Sequence, residues 1–153
     1  MPTLQLPYRV YARGMGCIPL TGTTLVGGRC YQLYKIFKSY INAMEACKDE
    51  FMILAEPDTV YQAHALLAWL EQQNLAYNAQ VLTNLLHENG SLSVPNGTKL
   101  PSHLWATGQP DGDSRCVTAM RNTEQFRFND YSCSDIAYYV CERGAISSER
   151  IWI

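Results

Sequence analysis

Gln109, Asp111, Asn129 and Asp130 stand in two short stretches, Trp105-Ala-Thr-Gly-Gln-Pro-Asp-Gly-Asp-Ser-Arg-Cys116 and Phe128-Asn-Asp-Tyr-Ser-Cys133, with Asp113 as a further carboxylate. Their donors are amide and carboxylate oxygens, without sulfur or imidazole. That is the hard set Ca²⁺ selects. The Gln109-Pro110 bond is a candidate cis peptide, because proline makes that isomer accessible, and cis geometry would turn the flanking side chains the same way. A Cys116–Cys133 bridge, if those two pair, would hold the two donor groups side by side. Gln-Pro-Asp-Gly is also a good turn sequence, with Pro second and Gly fourth. Asp111-Gly-Asp113 does not open an EF-hand, since the sixth loop position would be Cys116 and the twelfth Asn122.

Nothing in the chain marks an enzyme. Gly-x-Ser-x-Gly, His-Glu-x-x-His and a phosphate-cradling glycine loop are all missing, and His64, His87 and His103 lack partner motifs. Nor do the cysteines look like a metal or redox site, for there is no Cys-x-x-Cys. Cys17, Cys30, Cys47, Cys116, Cys133 and Cys141 form an even set and read as a disulfide framework, with fifteen pairings open on spacing alone.

The 153 residues suit one domain, and 47% hydrophobic with 17% charged is a globular composition. A net charge of −2 argues against nucleic acid as a partner, where clustered Lys and Arg must offset phosphate. No run approaches the roughly 18 apolar residues of a membrane-spanning helix, so no membrane insertion is expected. Disulfides imply an oxidising compartment, so the protein is expected to be secreted or on the outer cell surface. The opening residues do not read as a signal peptide, and the two are reconciled by the expectation that Met1 opens either an expression fragment or an incomplete gene model.

The elements that must position the donors follow from periodicity. Residues 1–16 read as an extended lead-in, and Thr and Val between Gly pairs before Cys30 suggest a short hairpin. Cys30-Tyr-Gln-Leu-Tyr-Lys-Ile-Phe alternates like a half-buried strand, and Tyr31, Tyr34, Phe37, Tyr138 and Tyr139 are expected in the core. Ser39 can cap a helix with apolar positions Ile41, Met44, Ala46, Cys47 and Phe51. Glu56-Pro-Asp-Thr59 breaks it and caps a second helix through Tyr61, Ala65, Leu66, Trp69 and Leu70. From Tyr77 to Arg115 little regular structure is expected, and so long a run suggests a functional loop. Strands return at Cys116 to Met120, Phe126 to Phe128 and Tyr138 to Cys141. Strands, two helices, then strands predict an α+β fold with a mostly antiparallel sheet. Asn89-Gly-Ser91 and Asn96-Gly-Thr98 have the form of glycosylation acceptors.

Taken together, the Cys47 helix, Leu54-Ala55, Trp105-x-x-Gly-Gln-Pro-Asp, Phe-Asn-Asp-x-x-Cys and the Tyr-Val-Cys-Glu ending resemble a C-type lectin-like domain of the long form, over about Cys17 to Arg143. The resemblance implies a domain at 17–143 with a tail at 144–153, and the pairing Cys17–Cys30, Cys47–Cys141 and Cys116–Cys133. It also implies that Gln109, Asp111, Asn129 and Asp130 hold Ca²⁺ and, with Asp113, contact a glycan. Gln-Pro-Asp is the family's galactose-type signature, so a galactose-type glycan is the expected partner, and a homo-oligomer is expected to strengthen so shallow a site. Ser114 stands where the family usually has Glu, Arg115 follows it, Phe128 replaces a Trp, and no stacking Trp follows the tripeptide. These departures keep open the alternative of a calcium-independent protein-recognition module on the same scaffold.

Overall fold

The computed structural model describes residues 15–17, 22–122, 125–144 and 146–147. In chain order the elements are β1 (Met15–Gly16), β2 (Thr24–Val26), β3 (Arg29–Lys38), α1 (Tyr40–Asp49), β4 (Ile53–Leu54), α2 (Val60–Glu71), β5 (Gln80–Glu88), β6 (Ser91–Ser93) and β7 (Lys99–Leu100). A 3₁₀ turn at Ser102–Leu104 precedes β8 (Cys116–Asn122), β9 (Gln125–Tyr131), β10 (Ala137–Gly144) and β11 (Ile146–Ser147). The α+β class is as expected. One sheet runs β2-β3-β10-β5-β6-β7, with β4 on β10 and a β8-β9 arm on β5, while β1 pairs β11. All these pairings are antiparallel except β10 with β5, where Tyr138 lies opposite Val81.

The β2–β3 hairpin turns through Gly27-Gly28. Gly27 sits at φ +61°, and a Cβ there would collide with Gln62 Oε1, so the turn needs glycine twice over. Gln62 itself donates to Val26 O (2.7 Å) and to the Tyr31 hydroxyl (3.2 Å), tying α2 to the hairpin. Ser39 takes the N-cap place of α1 without a side-chain bond, whereas Thr59 caps α2 by accepting from Gln62 N.

Two apolar clusters share the sheet. In the larger, Leu66, Leu67 and Leu70 of α2 meet Tyr31, Val81, Leu85, Phe126 and Phe128. In the smaller, Ala43 and Cys47 of α1 meet Leu54, Leu82, Tyr139 and Cys141. Each leucine so enclosed stabilises the fold by about 1.5–3 kcal/mol. The three disulfides are Cys17–Cys30, Cys47–Cys141 and Cys116–Cys133. Cys47–Cys141 closes a separation of 94 residues, for which loop entropy gives about 4 to 5 kcal/mol.

Several sequence expectations are corrected. The stretch 77–115 holds more regular structure than expected: β5, a hairpin turn at Asn89-Gly90, β6, β7 and the 3₁₀ turn. Ile41 and Phe51 are exposed, so the buried stripe of α1 is Ala43 and Cys47. Tyr61 is exposed as well. Of the aromatics expected in the core, Tyr31 and Tyr139 are buried, but Phe37 is 61% exposed and stacks on Tyr138 at 4.8 Å instead. The lead-in before residue 15 and most of the 144–153 tail lie outside the described residues.

Candidate functional site

Asp130 lies on β9, opposite Val117 of β8, and is only 8% exposed. The segment that covers it enters along the same strand. Trp105 makes a parallel bridge to Phe128, and Ala106 N donates to Phe128 O (2.7 Å). Gln109 N then donates back to Ala106 O (2.9 Å), and the Gln109-Pro110 bond is cis, as the sequence suggested. Beyond the proline the backbone folds over Asp130. Asp111 N donates to Asp130 Oδ1 (3.2 Å) and Gly112 N to Asp130 Oδ2 (3.1 Å). Asp111 N also donates to Gln109 Oε1 at 3.1 Å. A Cβ at residue 112 would stand 3.3 Å from Asp130 Oδ2, so glycine lets the loop close on the carboxylate.

Gln109, Asp111 and Asp130 are therefore in one hydrogen-bonded cluster. Asn129, also 8% exposed, donates from Nδ2 to Gln80 Oε1 (3.4 Å), which accepts from the Thr118 hydroxyl too. Asp113 is exposed and lines an open cleft of about 410 Å³ with His87, Glu88, Asn89, Gly90, Gly112 and Arg115. Arg115 is not drawn to Asp130; it pairs with Glu88 at 3.5 Å, both largely in solvent. Among the described residues no basic side chain pairs with the Asp130 carboxylate.

Sequence reasoning missed the residue that braces this loop from below. His87 is buried at the end of β5, its ring edge-on to Trp105 at 5.5 Å. Its Nδ1 lies 2.9 Å from Ser114 O, and Gly90 N donates to its Nε2 at 3.0 Å. A carbonyl only accepts, so Nδ1 carries the proton and the ring is neutral. Trp105 Nε1 donates to Gly90 O (3.2 Å). One imidazole thus ties the β5–β6 turn to the last residues of the loop. A lone His in an apolar run gives no such signal, because the loop carbonyl it holds, Ser114 O, lies 27 residues downstream.

The donor chemistry fits a hard cation. Two carboxylates and two amides supply only oxygens, and a buried carboxylate with backbone N–H partners but no counter-ion leaves charge for a cation to offset. No three His, Cys, Asp or Glu side chains among the described residues converge as a metal cluster.

The chain matches the family model described as Lectin C-type domain over residues 37–143. It is 22% identical over 141 residues to the C-type lectin lectoxin-Lio2 of Erythrolamprus poecilogyrus, covering 89% of this chain and 85% of that protein. Among solved structures it resembles the C-type lectin domain of murine dendritic cell inhibitory receptor 2, determined in complex with N-glycan. That match has a TM-score of 0.66 and 21% identity over 84% of this chain and 99% of the other. The chain also resembles a calcium-independent type II antifreeze protein, with a TM-score of 0.65 and 19% identity over 87% of this chain and 98% of that one.

Proposed function

Because the chain belongs to the lectin C-type domain family, we propose that this lectin-like binding module is a calcium-dependent glycan receptor with galactose-type preference, its ion held by Gln109, Asp111, Asn129 and Asp130. The domain in this reading begins at Cys17, ahead of the matched segment, because the Cys17–Cys30 bridge joins that chain to β3. Its three disulfides favour an extracellular setting. No helix among the described residues is long and apolar enough to cross a membrane.

The supporting observation is the environment of Asp130: a buried carboxylate, both oxygens turned to the loop that carries Gln109 and Asp111, with Arg115 engaged elsewhere. When bound, the ion would supply an electropositive centre for the hydroxyl oxygens of a sugar. The chain's own residues set the rest. Gln109, Asp111 and Asn129 offer amide and carboxylate groups that accept from or donate to those hydroxyls, and Asp113 reaches the same sugar from the rim of the adjoining cleft. A site with two firm carboxylates belongs at the weak end for extracellular modules, about 10⁻⁴ to 10⁻³ M for Ca²⁺. Presentation on an oligomer compensates for that weakness by multivalency.

The test is chromatographic. The protein is expected to bind immobilised galactose in millimolar CaCl₂ and to elute with chelator; retention that ignores chelator refutes the mechanism. A second reading, a protein-recognition module that needs no ion, is favoured by Ser114 and Arg115 in place of an acidic ligand. Thermal melting separates the two, because a ligand bound only by the folded state raises the melting temperature with its concentration. A melting temperature that ignores millimolar CaCl₂ supports the second reading.

A further inference from the structure

His64 and His103 come from elements 39 residues apart, yet their Nε2 atoms lie 3.0 Å from each other on the protein surface. The ring centroids are 5.2 Å apart and the planes differ by 22°. Centroid separation exceeds nitrogen separation by about twice the centre-to-atom distance of an imidazole, so the two rings meet nearly tip to tip. The backbones beneath them are fixed. His64 rides on α2 between buried Ala63 and Leu66, and His103 sits in the 3₁₀ turn directly before buried Leu104 and Trp105. Pro101 O accepts from Leu104 N and Ser102 O from Trp105 N, which locks the turn. The third histidine differs, for both ring nitrogens of buried His87 are already hydrogen-bonded.

We propose that His64 and His103 form a surface chelate for a borderline transition-metal ion, Cu²⁺ above Ni²⁺ and Zn²⁺, separate from the oxygen-lined site of Asp130. Imidazole nitrogen suits these ions and not Ca²⁺, and Cu²⁺ binds such ligands most tightly. With metal–nitrogen bonds of about 2.0–2.1 Å, the present nitrogen separation subtends roughly a right angle at the ion. That is the cis angle of a tetragonal site, which Cu²⁺ prefers, and it is narrow for tetrahedral Zn²⁺. Each ring must rotate to aim its lone pair at the ion, a motion open to exposed side chains. Without metal, one Nε2 carries a proton and the other accepts it. On binding, that proton passes through water to Nδ1 of the same ring, so both imidazoles stay neutral and each gives Nε2 to the ion. Water fills the remaining positions. The ion would pin α2 to the turn that opens the 105–115 loop.

Calorimetric titration of the untagged, disulfide-bonded chain with CuCl₂, in excess CaCl₂, tests this. One ion per chain is expected, with Ni²⁺ and Zn²⁺ weaker. Since the second ligand acts at high effective concentration, H64Q or H103Q alone should each weaken binding about tenfold or more, and H64Q/H103Q little further. Both positions are exposed, and circular dichroism and melting without metal confirm that the variants fold. Losses that simply add, or single variants that bind like the parent, overturn the chelate. Because Ca²⁺ is present throughout and galactose retention is not the readout, these outcomes are independent of the lectin reading.

Discussion

Glu142 and Asp130 are both buried carboxylates on strands of the same sheet, at 6% and 8% exposure, and their surroundings differ in one respect. Glu142 Oε1 accepts from Glu56 N (2.7 Å), and its Oε2 meets Arg29 Nη1 at 3.2 Å. Arg29 also donates to Glu56 O (2.7 Å) and pairs with Asp58. Asp130 has the two backbone N–H groups of Asp111 and Gly112 and, among the described residues, no guanidinium or ammonium. The first carboxylate is closed within the fold by a cation of the chain itself. The second is oriented but electrostatically incomplete, at the edge of a polar cleft. One end of the molecule closes its buried charge with its own cation and ties β3 and β10 to the loop before α2; the other leaves its buried carboxylate, among the described residues, with backbone N–H partners alone.

The largest expected effect comes from taking the internal cation away. Arg29→Ala leaves Glu142 buried without its partner, and breaking such a pair by one member costs about 3–5 kcal/mol. Partial exposure of Arg29 places the expected loss toward the lower figure, read as a shift in the urea midpoint. A loss below about 1 kcal/mol would put this end on the footing of a surface pair and erase the contrast.

Next comes the other carboxylate. Asp130→Asn keeps shape but removes the negative charge, so Ca²⁺-induced stabilisation and galactose retention should both vanish. Without calcium, the cost should be about 1 kcal/mol, since an amide N–H then faces Gly112 N–H in place of an oxygen. A parent-like calcium response in this variant would show that the charge is not what attracts the ion. Ser114→Glu sharpens the contrast in the opposite direction by adding an anionic donor; calcium affinity should rise about tenfold, because affinity follows ligand charge and count. A calorimetric titration gives the comparison with the parent.

The smallest effect is in pH. Burial pushes the Glu142 carboxyl above the usual carboxylate range, against the Glu56 N–H and Arg29. Burial also works against the Arg29 charge, but Glu142 and Asp58 outweigh it and hold the guanidinium charged. A folded pKa above the unfolded one adds stability that is fully present below the unfolded value and fades as pH rises through the folded value. Melts of the parent should therefore gain relative to Glu142→Gln as pH falls through the mildly acid range. Parallel profiles would remove the linkage.

Much of the scaffold was legible. The α2 cap at Thr59, the hairpin before Cys30 and the cysteine partners follow from short-range chemistry or from the family resemblance. The misreading of 77–115 has a physical cause. β5 is paired by β10 on one side and β8 on the other, and Val81, Leu82 and Thr83 are all buried, so the strand lacks the alternation that a half-solvated strand shows. Exposed Ile41 on α1 and Phe51, which lies past the end of that helix, are larger and more apolar than the Ala43 and Cys47 that face the core. At the site, residue types alone pointed to the oxygen donors. Gln80, His87 and Glu88 could not be found that way, because each reaches the site from β5 across a long stretch of chain, Gln80 to Asn129, His87 to Ser114 and Glu88 to Arg115.

A crystal structure grown in abundant calcium chloride addresses the Asp130 charge most directly. The account predicts one ion about 2.3–2.6 Å from side-chain oxygens of Gln109, Asp111, Asn129 and Asp130. Density for the Arg115 guanidinium against Asp130, with Glu88 released and no ion between the loop and β9, would contradict it.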